Sequence, residues 1–192
     1  MKARSKALLL ALCAVLLVAV SVLGTMAYLT SETQVITNTF TVGDINIELT
    51  ETKPESKQAK IIPGVDIEKD PKVTVKANSE ACWLFVKVEQ TGTFVTDKVT
   101  YSVMTGPDGW TALTGVDGVY YREVGAVTSD TSFDILENNK VTVSETLTKA
   151  DVNNITAENQ PKLTFTAYAV QKEGIDTAAA AWEKVNTTSG SN

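Results

Sequence analysis

Residues 81–89, ACWLFVKVE, restrict the possible folds more than any other stretch of the chain. Read as a strand, they place Cys82, Leu84, Val86 and Val88 on one face. Ala81, Trp83 and Phe85 line the other until Lys87 and Glu89 turn it polar. A strand that is apolar on both faces must be covered on both, so this one belongs at the centre of a sheet, with a layer above and below its first half. Residues 162–170, KLTFTAYAV, carry a second strong period of two, with Leu163, Phe165, Ala167 and Ala169 set against Thr164, Thr166, Tyr168 and Val170. That is the pattern of a half-buried strand.

Short strands and turn signals fill the rest of the chain. Ile45, Ile47 and Leu49 share a face, and Pro63-Gly64 after Ile61-Ile62 is a type II turn from which residues 65–67 resume a strand. Pro71 opens a strand carrying Val73 and Val75, where its missing N–H is tolerated. Residues 106–109, GPDG, make a turn, and residues 110–124 read as a hairpin around Asp117-Gly118. Residues 133–136 and the strand of Val141 and Val143 flank a tight Asn138-Asn139 turn. Residues 50–60, TETKPESKQAK, are charged and lack an apolar face, so they read as a loop or solvated edge. Residues 147–155 hold a helical turn. After Gly174, Ala178, Ala181, Trp182 and Val185 fall at helical spacings behind a cap at Asp176 or Thr177. The fold expected is all-β, a jelly-roll-like antiparallel β-sandwich with a short C-terminal helix. Of the three tryptophans, Trp83 and Trp182 read as core anchors and Trp110, flanked by turns, as the exposed one.

The first 27 residues differ in kind. Lys2, Arg4 and Lys6 precede an apolar run at residues 7–23 that is interrupted only by Cys13 and Ser21. This is the pattern of a secretory signal, and Thr25-Met26-Ala27 supplies small residues where a signal peptidase needs them. Cleavage after Ala27 makes Tyr28 the first mature residue. A retained membrane anchor is the competing reading, because the run approaches the roughly 20 residues that span a bilayer. Cys13 follows Leu12 rather than a small residue, which disfavours lipidation. The organisation expected is a signal peptide at 1–27 and one sandwich domain at 28–192, with residues 28–42 as an extended assembly arm.

Gly24-Thr25-Met26-Ala27-Tyr28, followed by residues 39–49, TFTVGDINIEL, resembles the signal and first strand of the TasA/camelysin family. The likeness continues through Pro63-Gly64-Val65 and residues 69–73, KDPKV, and ends at residues 166–171, TAYAVQ, with Ala181-Trp182. The resemblance implies a Gram-positive secreted protein processed by a SipW-type signal peptidase, with a jelly-roll-like sandwich and relatives that build extracellular matrix fibres. One branch of that family is described as a protease.

Charge and composition exclude several alternatives. Loss of the signal removes three cations and moves the formal balance from −6 to −9, leaving Arg122 as the single arginine. Such a surface repels phosphate backbones and anionic membranes, so neither nucleic acid nor a membrane surface is an expected partner. Once Cys13 leaves with the signal, Cys82 is alone and no internal disulfide forms. Its apolar strand marks it as a small buried hydrophobe. The chain has no histidine. Imidazole acid–base catalysis, the usual zinc ligation and the familiar serine and cysteine triads are therefore ruled out.

The remaining chemistry is sparse. Asp130-Thr131-Ser132 is similar to an aspartic-protease triplet but lacks its glycine and a second copy, so it reads as a loop cap. Paired carboxylates for glycoside hydrolysis have no positive signal among the 23 acidic residues. Asp108 and Asp117 lie in loops without the spaced aspartates of a calcium site. No catalytic residue, metal site or cofactor is assigned.

The expected function is that of a secreted structural protein, a self-assembling biofilm or matrix fibre subunit at the cell surface, forming a homo-oligomer or fibre. The arm would add to a neighbour's sheet by β-augmentation, with Ile36, Phe40 and Val42 filling alternate pockets. An ordinary first strand within its own monomer is the competing role for that arm. Ile36, Phe40 and Val42 are even whereas Ile45, Ile47 and Leu49 are odd, so a bulge is expected at Gly43-Asp44, with Gly43 supplying a positive φ. The alternatives are a monomeric surface binding module or adhesin that uses Trp110 and residues 106–118, and a camelysin-like protease, which the lack of histidine disfavours.

Overall fold

The computed structural model describes residues 35–36, 45–52, 61–92, 98–153, 155 and 161–189. Their strands are β1 (Val35–Ile36), β2 (Ile47–Glu51), β3 (Ile67–Glu68), β4 (Pro71–Val75), β5 (Cys82–Thr91) and β6 (Val99–Thr100). β7 (Thr111–Ala112), β8 (Val119–Val124), β9 (Thr131–Asp134), β10 (Lys140–Val143) and β11 (Lys162–Gln171) follow. Two helices, α1 (Lys149–Asn153) and α2 (Ala178–Ser189), complete the set. A large sheet in the order β1-β11-β5-β8-β7 faces two smaller ones, β2-β4-β9 and β3-β10-β6. The fold is an all-β sandwich.

The doubly apolar strand is central, as its pattern demands. β5 pairs with β11 from Cys82↔Gln171 to Thr91↔Lys162, and with β8 on its other side from Cys82↔Val124 to Lys87↔Val119. Leu84, Val86 and Val88 stand opposite Ala169, Ala167 and Phe165 and point between the layers. There they meet Ile45, Ile47, Leu49, Val73, Val75, Val141 and Val143 in one buried core. On the other face, Trp83 and Phe85 stand opposite Val170 and Tyr168 and are covered by Ala178, Ala181, Trp182 and Val185 of α2.

α2 is held there by its cap and its aromatics. Thr177 Oγ1 accepts the Ala180 N–H at 3.2 Å, an N-terminal cap of the expected kind. The Trp182 ring lies 5.2 Å from that of Phe85 and 5.4 Å, edge-on, from that of Tyr168. Contacts of this geometry contribute about 0.5–1.5 kcal/mol each beyond the area they bury. Trp83 Nε1 donates to the Ile175 carbonyl at 2.9 Å and ties the same face to the segment before α2.

Turn chemistry behaves as written in most places. Val65 donates to Ile62 across Pro63-Gly64, with Gly64 at φ 73°. Gly118 (φ 70°) opens β8 where a Cβ would sit 2.6 Å from the Val88 carbonyl, so no larger residue fits. Thr148 and Asp151 form a capping box at α1, Asp151 N–H donating to Thr148 Oγ1 at 3.2 Å and Thr148 N–H to Asp151 Oδ2 at 2.8 Å.

Three expectations are corrected. Trp110 is not exposed: its relative exposure is 2%, and its Nε1 donates to the Asp134 carbonyl at 2.8 Å. Its own N–H, bonded to the Met104 carbonyl at 2.7 Å, turns the indole inward off the 106–109 turn. The Arg122 guanidinium lies 5.7 Å from its ring and 3.8 Å from that of Phe133. Asn138 and Asn139 do turn tightly, at φ 54° and 51°, but they do not close a hairpin. β9 pairs with β4 whereas β10 pairs with β3 and β6, so the turn carries the chain between sheets. Finally, Thr50 and Glu51 belong to β2 rather than to a solvated loop.

Two outcomes are expected. Trp110→Ala should cost about 3–5 kcal/mol, as large-to-small aromatic changes in cores do, read as a lower midpoint of denaturant unfolding. Asp151 is held at about 2 by hydrogen bonds from Lys98 and then Thr148. A carboxylate lowered on folding stabilises the native state above its unfolded value and loses that contribution as pH falls through the folded one. Asp151→Asn should therefore lower Tm at neutral pH, with the gap to the unsubstituted chain closing between about pH 4 and pH 2.

Candidate functional site

β11 is ten residues long and bonded to β5 along all of it, so its second side decides whether the large sheet is open. A strand with one side unpaired presents N–H and C=O groups to any chain that can reach them. β1 takes that side, pairing Val35 with Phe165 and Ile36 with Thr166. It runs parallel to β11, whereas the other pairings among the described strands are antiparallel. β1 and β11 both approach β2 there, which puts β1 at the seam between the large sheet and a small one. Two residues of β1 meet a ten-residue strand.

Of the residues expected to form the arm, Ile36 lies in β1. Ala27, Tyr28, Phe40, Val42 and Gly43, and with them the cleavage point and the Gly43-Asp44 bulge, lie outside the described residues. Description resumes at Ile45, which is fully buried and shares its face with Ile47 and Leu49. No helix among the described residues is long and apolar enough to cross a membrane.

Beneath the seam is a feature that the sequence analysis missed. The Lys69 ammonium lies 2.9 Å from Glu51 Oε1, and the two side chains are 2% and 1% exposed. Lys69 Nζ also sits 6.0 Å from the Phe165 ring centroid. An apolar cavity of about 20 Å³ adjoins it, lined by Ile61, Ile67, Val99, Val141, Pro161 and Leu163. The signal was present in the spacing: Glu51 continues the buried phase of Ile47 and Leu49, and Lys69 continues that of Ile67.

The other candidate groups are engaged in contacts within the fold. Asp130 accepts the Ala77 N–H at 2.9 Å and the Lys76 ammonium at 3.2 Å, and both bonds hold its carboxyl below the usual range. Lys76 also reaches Glu48 at 2.6 Å, and these bonds, Glu48 first, raise its own pKa. Lys76 thus bridges the two carboxylates. Cys82 is fully buried, and burial pushes its thiol up to about 11. Asp108 gives its carbonyl to Arg122 at 2.9 Å. Among the described residues, no three His, Cys, Asp or Glu side chains are grouped to hold a metal ion.

Fold and seam together define an all-β sandwich whose large sheet ends in the short parallel strand β1. No protein-family model, no curated protein and no solved structure matches the chain.

Proline at both positions 35 and 36 removes both amide donors of β1 and leaves the β5–β11 ladder intact. The expected result is a loss of about 1 kcal/mol per ladder bond broken. Faster hydrogen exchange should be confined to β11 residues around Phe165. Unchanged exchange there would show that β1 does not pair with β11 in solution.

Proposed function

We propose that this chain is a secreted structural protein of the TasA/camelysin type, a self-assembling subunit of extracellular matrix fibres at the Gram-positive cell surface. Export would use residues 1–27 and a SipW-type signal peptidase, with Tyr28 as the new N-terminus. The observation that carries the proposal is the parallel pairing of β1 with the outer side of β11. A segment that precedes the domain can reach that edge, and the same segment of a second copy offers the same backbone groups. Ladder bonds would then supply affinity between subunits, and alternate side chains would supply register. Exchange of an identical element between protomers is a low-cost route to assembly, since every contact made already exists in the closed monomer.

Deletion of residues 28–38 tests this directly. The truncated protein should stay folded by circular dichroism but sediment as a monomer and form no filaments under the electron microscope. Filaments that persist unchanged would overturn the arm mechanism. N-terminal sequencing of the exported protein should begin at Tyr28, and residues 1–27 intact in the membrane fraction would overturn the secreted assignment.

A further inference from the structure

We propose that Lys69 and Glu51 condense into an intrachain isopeptide bond, a covalent staple between β2 and the β3–β4 connection inside the sandwich. The reacting groups are already in contact, Nζ 2.9 Å from Oε1, with 2% and 1% of the side chains exposed. The ladder fixes both ends, because Glu51 pairs with Pro71, two residues beyond Lys69. Apolar side chains lie beside the pair: Ile61, Ile67, Val99, Val141 and Leu163 line the adjoining cavity, and the Phe165 ring lies 6.0 Å from Nζ. An ion pair kept in such a place gives up two hydration shells, a cost that its Coulomb attraction and hydrogen bonds must offset. An amide there carries no charge.

The chemistry balances without a co-reactant. As the first step of the condensation, one proton passes from the Lys69 ammonium to the Glu51 carboxylate that it touches. The neutral amine then has a free lone pair, and the neutral acid has an electrophilic carbonyl carbon. Lys69 Nζ adds to Glu51 Cδ and a C–N bond forms. One C–O bond of the carboxyl breaks, and that oxygen leaves as water with two protons that began on Nζ. Nothing is oxidised or reduced. Fixed contact between the partners removes the translational and rotational entropy cost that a free amine and acid must meet, and the reaction has to occur only once per molecule. The cavity beside Lys69, about 20 Å³, has room for the single water released, since one water needs about 10–15 Å³ measured in this way.

The test is the intact mass of the purified folded protein, measured after denaturation, together with a tryptic map. The expected mass is one water below that calculated for the purified polypeptide from its determined first residue, with a branched peptide joining residues 51 and 69 and no cleavage after Lys69. Lys69→Met, which keeps the length and removes the amine, should show the full calculated mass and a lower Tm. If that variant fails to fold, the map of the unsubstituted protein still decides. Full calculated mass with ordinary cleavage after Lys69, or a lost water located at any other pair of residues, would overturn the proposal.

Discussion

The ladder between β5 and β11 is the constraint on which the rest of the sandwich depends. Its ten paired positions place two apolar surfaces back to back, one facing the small sheets and the other facing α2. Neither surface is stable in water, so the chain must supply a layer for each. Burial of this kind contributes about 25 cal/mol per Å² of apolar area removed from water. The layers are supplied in different ways. β2, β4 and β10 cover the inner surface with branched aliphatic side chains. A single helix covers the outer one with small residues and one large ring, Trp182, which fills the space between Phe85 and Tyr168.

Much of this was legible in the sequence because a period of two is a direct record of which side chains are buried. The two-sided apolar run at residues 81–89, the alternation at 162–170 and the helical spacing of Ala178, Ala181, Trp182 and Val185 each identified an element and its buried face. Turns written in Pro63-Gly64 and in Gly106 and Gly109 were equally readable, since their geometry is local. Pairing was not. Asn138-Asn139 adopts the backbone of a hairpin turn, yet its two flanking strands join different sheets, a choice made by distant partners. Trp110 was misplaced for the same reason: its neighbours are turn residues, but its indole is held by Asp134 and covered by Arg122.

The candidate site divides along the same line. Ile36 was read as part of a strand-like stretch and lies in β1, but the partner strand and its parallel direction were not legible. Lys69 and Glu51 were hidden by their chemistry. Charged residues are presumed to face water, and residues 50–60 contain so many that the buried phase of β2 seemed to stop at Leu49. It runs one step further. Where a charged residue occupies the buried phase of a strand, a second one of opposite sign in the buried phase of another segment packed against it marks a pair rather than an error.

The position of β1 also orders events in time. Residues 35 and 36 are made early, but the strand they pair with starts at residue 162, so the whole sandwich must be synthesised before that pairing can close. Contacts between such distant parts of a chain are slow to form, because loop-closure entropy is lost before the contacts reward it. During that interval the outer side of β11 is already a finished template on its β5 side while its own partner is still diffusing. How soon the pairing closes is then a matter of the effective concentration of residues 35 and 36 around residue 165 within the one chain.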